Sequence, residues 1–590
     1  MLRSPGLVAL LLAALTLLPA AANGSLAVWP ANNDSMMRLV QIRDLIAGQG
    51  WYDYTQYRMG LDGGFVMHWS RIVDLPVAAM IMVVKFATGS AATGELIAGI
   101  VWPTLLLASS LWALMGSARV LGGEQALFPS ALIGAISLYS IGIFAPGALD
   151  HHNLQLTLCL LGLLAILRGP SSGHGLAAGA AMALTMAIGM ETLPMVVAAC
   201  GGIAATYLLV GRCQAPMTAG FGLGFASVSL AAYVATVGPT HWLEVHCDAF
   251  SVAQLSIAAI GGLGLAATTA LPLAGRTRIT RLVALGALGA VLAVLVAGAY
   301  PQCLADPYAG LDARLQTLWL SAIGEAQPVA SVWLNDPVMF AKYYATPLAA
   351  LAVLGAAMLS APPRRAQAMT AVFLAVAVLV SFWQVRGGNF AVAFAAVPLA
   401  AWVAEKRVTA SADRGLVPTL AMVLAWVVSL NACWTMAAKA LNEAAGPAVA
   451  AEGRDASSGA RASGCYGARA QAALATLETG TVLAVSNLGP AVLKYTPHRV
   501  LAGPYHRNIA GNIATLDALL GAPEAARQVL RKAGVDLIAH CPGDDESGVL
   551  ARAAPDGLLA ALMRNDPPSW LTPVHPGAET TLTVYRVTLK

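Results

Sequence analysis

ALFPSALIGAISLYSIGIFAPGALDHHNLQLTLCLLGLLAILR, residues 126–168, sets the frame for the whole chain. Two apolar runs, 126–145 and 154–168, flank the short polar loop Leu149-Asp150-His151-His152-Asn153, and the second run ends at Arg168. A bilayer core takes about 20 apolar residues per helix, so the stretch reads as two membrane spans joined by a tight turn, the second short enough to be tilted or partly embedded in a bundle. Similar runs occur near 5–22, 95–116, 174–190, 192–210, 216–238, 252–274, 282–300, 344–361, 367–385, 389–404 and 415–438, which brings the reading to about 13 spans. The run 76–91 is apolar but contains Lys85 and reads as a helix lying against the membrane.

Composition agrees. The 590 residues are 58% hydrophobic and only 11% charged, against roughly 25% charged in a soluble globular protein. The net charge of +4 is too small to suggest a nucleic-acid partner, and no basic run suited to a phosphate backbone is present. Met1 to Asn23, with Arg3, an apolar run from Leu7 to Leu18 and small residues at Ala20 to Ala22, fits a cleaved signal peptide and an uncleaved first span equally well.

Lys and Arg favour the cytoplasmic side. Arg119, Arg168, Arg212, Arg276 with Arg278 and Arg281, Arg364 with Arg365, and Lys406 with Arg407 fall in alternate short loops, all inside if the N-terminus is inside. Loops 23–93, 146–153, 239–251, 301–343 and 386–388 then face out, as does the chain beyond about 440. Cys247, Cys303, Cys465 and Cys541 are the cysteines placed outside in aqueous regions. They can pair as Cys247–Cys303 and Cys465–Cys541 in an oxidising compartment, whereas buried free thiols are the plainer alternative.

From Ala440 charged residues, Gly and Pro become frequent and no span follows. Thr481–Ser486, Arg499–Ala502, Val535–Ala539 and Leu582–Val587 read as strands, and Glu524–Ala533 as a helix stopped by Gly534, which suggests a small α/β domain. Gly503-Pro504-Tyr505-His506-Arg507-Asn508 is a turn or a binding loop.

Asp34, Asp150, Glu325 and Arg386 stand at span ends on the predicted outer side. Each has a plain reading. Asp34 can cap a helix over 35–47 and Asp150 the span that begins at His151; Glu325 can be a solvated loop residue; Arg386 can snorkel. Their joint placement points further. Carboxylates and an Asp-x-His pair supply hard oxygen and imidazole ligands for a divalent cation, and an Arg supplies fixed positive charge for phosphate. Glu191, an acid within apolar sequence, is a functional candidate by default.

The order and spacing of these motifs resemble the catalytic subunit of oligosaccharyltransferase, a membrane glycosyltransferase of the GT-C class. Asp34-Ser35-Met36-Met37-Arg38 resembles the family's first-loop Asp motif, and Trp51-Tyr52-Asp53 with His68-Trp69-Ser70-Arg71 its Trp-x-Asp and Pro-Leu-Gly-Arg elements. Asp150-His151-His152 resembles the second acidic motif in its Asp-x-His form. Ile323-Gly324-Glu325-Ala326-Gln327-Pro328, with Trp333 downstream, resembles the Ser-Val-Ser-Glu-His-Gln-Pro loop, and Arg386 an Arg implied to contact the donor phosphates. The resemblance implies an uncleaved first span and a GT-C-like polytopic α-helical membrane protein. Its transmembrane catalytic domain is expected over 1–440, with outer loops 23–93 and 301–343, and its extracytoplasmic α/β domain over 441–590. It also implies Mg2+ or Mn2+ held by Asp34, Asp150, His152 and Glu325, and catalytic roles for Asp34, Asp150 and Glu325; Arg71, His151 and Glu191 are candidate accessory residues. A polyprenyl-linked sugar would be the donor, in a cell membrane (the inner one where there are two), with a protein, glycan or lipid as acceptor. One departure stands out: where the family has Trp-Trp-Asp-Tyr-Gly to read its acceptor, this chain has Val485-Ser486-Asn487-Leu488-Gly489, with only the Gly kept. A single-sugar transferase of the same fold, a flippase or polymer transporter, and a non-catalytic scaffold are the alternatives.

Overall fold

A computed structural model describes residues 4–27, 32–271, 277–305, 310–320, 323–362, 364–444, 464–574 and 582–588. Arg276 of the topology argument lies outside them. The chain forms two compact units, one of Met1–Val28, Trp69–Pro307 and Glu325–Ala444, the other of Trp29–His68, Tyr308–Gly324 and Ala445–Lys590.

The first unit is a helical bundle. Among the described residues nine helices are long and apolar enough to cross a membrane, from Pro5–Ala22 to Val385–Ala412. Three further expected spans are helices of 15, 16 and 17 residues, Leu127–Ile141, His152–Leu167 and Ser172–Ile188. The last one is broken into Leu416–Ser429 and Asn431–Ala444, bent by 77°. Each of the thirteen expected runs thus contains a helix among the described residues, and most of the 76–91 run falls within the helix Arg71–Thr88. The boundaries carry ordinary capping chemistry: Ser90 and Ser171 accept from the N–H groups of Thr93 and His174, and Gly89 ends its helix at φ 73°. The long helix Val385–Ala412 forms the centre, with every residue from Phe390 to Ala400 buried.

One seam is built on glycine. Gly175 and Gly179 of Ser172–Ile188 lie against the backbone of Met217 and Phe221, while Gly220 and Gly224 of Ala215–Thr236 lie against that of Ser172 and Leu176. The two Gly-x-x-x-Gly pairs interlock, and a Cβ at any of the four would overlap main-chain atoms. Without a hydrophobic drive between helices in lipid, such close backbone approach is what holds spans together. Outside this seam, Cys247 is joined to Cys303 with Cα atoms 5.2 Å apart.

The second unit holds a five-stranded sheet in the order β4-β3-β5-β7-β6, made of β3 (Thr481–Leu483), β4 (Arg499–Val500), β5 (Leu537–His540), β6 (Leu571–Val574) and β7 (Thr583–Val587). β3 runs parallel to β4 and β5, and β7 antiparallel to β5 and β6. Cys465–Cys541 ties the chain before β3 to the residue after β5. The first-loop segment belongs to this unit. Its hairpin, β1 (Thr55–Gln56) and β2 (Phe65–Val66), is antiparallel, and Met59 bridges Val500 of β4.

Candidate active site

In the first unit the site is set by the turn between Leu127–Ile141 and His152–Leu167. Gly142 and Gly147 adopt φ 83° and 84°, conformations that glycine takes without strain. The N–H of Gly147 donates to Gly99 O at 2.7 Å, and Asn153 Nδ2 donates to Ala148 O at 2.9 Å, so the loop is pinned at both ends. Asp150 and His151 are buried beneath it.

The helix that follows has His151 at its N-cap position with no side-chain cap. Asp150 therefore does not cap. Its Oδ1 meets His151 Nδ1 at 2.7 Å and its Oδ2 lies 3.6 Å from His152 Nε2. His151 Nε2 reaches Glu191 Oε1 at 3.3 Å, and Gln155 Nε2 donates to Glu191 Oε2 at 3.3 Å. The two imidazoles have different work. Burial alone would push His151 down, but the carboxylates of Asp150 and Glu191 outweigh it and raise it to about 10, so His151 bridges two acids as a cation. His152 Nδ1 pairs with Gln155 Oε1 at 3.3 Å. With the proton on Nδ1, Nε2 keeps its lone pair for a ligand. Asp150, His151 and His152 bring carboxylate and imidazole atoms within 4.8 Å of one another; with both His151 nitrogens turned to carboxylates, Asp150 and His152 are the pair whose oxygen and nitrogen fit a divalent cation.

The segments that carry Glu325 and Arg386 are tied through the backbone. Val385 N–H donates to Gln327 O at 2.9 Å, which ties the Glu325 loop to the turn Val385–Gly387. Val332, Tyr344 and Val385 then form an apolar plug with Val329 and Phe340 packed on it. Glu325 stays exposed. Arg386 is near enough to Glu191 for their charges to interact. Arg71 pairs with Asp74 at 3.0 Å, both buried.

In the second unit the helix Asn33–Ile46 is capped by Asn32, whose side chain accepts from Ser35 N–H at 2.8 Å. Asp34 is therefore in the first turn rather than at the cap. The plain capping reading fails for Asp34 as it does for Asp150. Asn33 Nδ2 donates to Asn487 Oδ1 at 2.9 Å, and Tyr505 Oη donates to Asn33 O at 3.2 Å. Arg43 and Arg58 donate to the carbonyls of Leu493, Lys494 and Thr496, at the end of helix Gly489–Tyr495, where cations complement the helix dipole. The segment at the expected acceptor motif is held from behind by buried Glu546. Ser486 N–H and Oγ donate to Glu546 Oε1 at 3.1 and 2.7 Å, and Asn487 N–H to Oε2 at 2.9 Å. In the 503–508 loop Tyr505 stacks on Phe65 and His506 lies 4.5 Å from His68, ring to ring.

Sequence reading missed Gln155, Asn153 and Glu546. Gln155 had a signal, since three residues after His152 it shares a helix face. Glu546, 60 residues from Ser486, had none.

No protein-family model matches the chain, and no curated protein matches it. Among solved structures, the apo oligosaccharyltransferase of Archaeoglobus fulgidus is similar with a TM-score of 0.64, at 12% identity over 90% of this chain and 69% of that one. The same organism's AglB with an inhibitory peptide and a dolichol-phosphate gives 0.62 at 12% over 90% and 68%. A form tethered to an acceptor peptide containing the NVT sequon gives 0.59 at 14% over 90% and 68%. The chain has the GT-C-like fold of these membrane glycosyltransferases, as the motifs led one to expect: a polytopic helical bundle with a sheet-containing C-terminal domain.

Proposed function

We propose that this protein is a glycosyltransferase that moves a sugar or oligosaccharide from a polyprenyl-phosphate or -pyrophosphate donor to an acceptor at the outer membrane surface. The observation that carries the reading is the orientation of Asp150 and His152. Neither caps its helix, and each is held by a neighbour, Asp150 by His151 and His152 by Gln155, so that one carboxylate oxygen and one imidazole nitrogen lie 3.6 Å apart. Similar structures support it: one was solved with a dolichol-phosphate, one with a tethered acceptor peptide and one with Zn and sulfate.

By the resemblance, Asp34, Asp150, His152 and Glu325 would hold Mg2+ or Mn2+, which supplies Lewis-acid neutralisation of a leaving phosphate. Arg386, fixed by the turn that the Glu325 loop grips, takes part of the phosphate charge. Asp34 or Glu325 orients the acceptor and receives its proton. The acceptor atom bonds to the anomeric carbon as the carbon–phosphate oxygen bond breaks, the electron pair leaves with the phosphate, and the anomeric configuration inverts. A second reading, a single sugar passed to a lipid or glycan, is favoured by the acceptor segment. The side chains of Ser486 and Asn487 are engaged by Glu546 and Asn33, where the family would present Trp and Asp to a peptide.

The test is incubation of the purified protein with membrane extract containing labelled lipid-linked sugars, with and without EDTA. Label is expected to move to a protein, glycan or lipid only when metal is present, and its destination separates the two readings. Label that stays on a competent donor, or merely changes leaflet, overturns both.

A further inference from the structure

The helix Val385–Ala412 carries Arg386 in its first turn and Lys406 twenty residues on. At 1.5 Å per residue that is about 30 Å, one hydrocarbon thickness. Around the Lys406 end lies a cavity of about 1200 Å³. Its walls are the end of Thr346–Ser360, the last turns of Val385–Ala412, and the corner after Ala91–Gly122. Three cations line it from three different elements: Arg119, Arg364 and Lys406. Arg364 heads the helix Arg365–Trp383, whose dipole adds positive potential there. Pro398, Trp402 and Leu354 supply apolar wall.

The acids nearby do not cancel this. Glu405 also lines the cavity and meets Lys406, and Arg119 meets Glu124 outside the lining, but both acids are about two-thirds exposed. Such surface pairs are worth little, and three cations against one acid leave the lining positive. The volume exceeds the roughly 300–1,000 Å³ that holds a drug-sized ligand. The lining combines a cationic rim with an apolar wall, about one hydrocarbon thickness along the helix from Arg386. A free phosphate would leave the apolar wall unused, and a neutral lipid would leave the cations unused. Basic pockets between spans on the cytoplasmic side are where phosphate-headed lipids bind.

We propose that Arg119, Arg364 and Lys406 form a binding site for a phosphate-headed membrane lipid on the face of the bundle opposite Arg386. The site is separate from the transfer chemistry and stands whether or not that chemistry is as proposed.

Native mass spectrometry of the full-length protein in neutral detergent, titrated with phosphatidylglycerol, phosphatidylcholine, undecaprenyl phosphate or inorganic phosphate, tests it. The wild type should retain phosphatidylglycerol or undecaprenyl phosphate over phosphatidylcholine. Arg119→Gln/Arg364→Gln/Lys406→Gln should weaken that retention at least about tenfold, and Arg119→Lys/Arg364→Lys should restore it. Arg212→Gln/Arg278→Gln/Arg414→Gln, which removes exposed cations elsewhere, should bind as wild type. Equal retention by the first variant, an equal loss in the second, or displacement of lipid by inorganic phosphate would overturn the proposal. A matched elution profile and thermal midpoint without added lipid separate loss of binding from loss of fold.

Discussion

His151 sits between two carboxylates, and the balance of charge around it decides how Asp150 is presented. Removing one partner from a buried ionic cluster leaves the others uncompensated, at a cost of about 3–5 kcal/mol. His151→Gln should therefore lower the thermal midpoint of the detergent-purified protein. Adding Glu191→Gln should recover part of the loss, since residues in one network couple by roughly 0.5–3 kcal/mol. Strictly additive losses would show that the His151–Glu191 contact at 3.3 Å carries no energy. At the same scale, Asp34→Ala should abolish transfer while leaving the folded yield intact, whereas Asp150→Asn should abolish transfer and also lower the thermal midpoint, since Asp150 belongs to the same buried cluster; robust activity in either removes that residue from the chemistry. Asp150 and Asp34 were legible in sequence because acids beside apolar runs are costly. The partner of His151 was not, because Glu191 lies 40 residues away and only helix packing brings it near.

Among the elements, the glycine seam and the Ser486–Asn487 turn make opposite demands. In the seam any added atom meets backbone. Gly179→Leu or Gly224→Leu should cut the folded, monodisperse yield sharply, overpacking costing about 1–3 kcal/mol or more. Gly286→Leu, where the space is open, should behave as wild type. Equal tolerance at all three positions would mean that the seam does not hold the bundle. In the turn the demand is electrostatic. Burial, aided by the nearby charge of Asp544, pushes Glu546 up to about 7 from an ordinary 4.5, against the pull of its bonds from Asn487 and Ser486. The folded state thus holds a proton that the unfolded chain releases, and stability is lost as pH rises from about 4.5 through about 7, on the order of 3 kcal/mol. The thermal midpoint of this domain should fall from pH 5 to pH 8 in the wild type and fall less in Glu546→Gln. Parallel pH profiles would refute the assignment. The spans were readable from apolar length, and the helix Pro523–Lys532 from a polar–apolar pattern stopped by Gly534, whereas β6 and the other short helices of the C-terminal domain were not. A four-residue strand such as Leu571-Thr572-Pro573-Val574 contains a proline and stands at the sheet edge, where propensity says little.

For the whole molecule, thirteen apolar runs and a charge count foretold the polytopic architecture, because a bilayer imposes length and sidedness on any span. The same physics says nothing of which segments cluster. That the first-loop residues 29–68 join the C-terminal domain's compact unit rests on Arg43, Arg58 and Met59 meeting partners more than 430 residues away. The Cys465–Cys541 bridge closes 76 residues of that unit, and loss of a native disulfide typically costs about 2–5 kcal/mol. Cys465→Ala/Cys541→Ala should lower the domain's unfolding midpoint without changing the helix content of the bundle. An unchanged midpoint would make the bridge dispensable.

The Cys247–Cys303 bond encloses two spans, Val252–Ala270 and Arg278–Ala299, in one covalent ring. A cut between those spans opens the ring without releasing either half. A protease site inserted at 272–276 therefore turns the bond into a reporter of sidedness. Protease added to sealed vesicles that expose the cytoplasmic face should leave one band until thiol is added, then two. Cleavage only in vesicles of the other orientation would reverse the inside–outside assignment on which the loop positions of Asp150 and Arg386 depend.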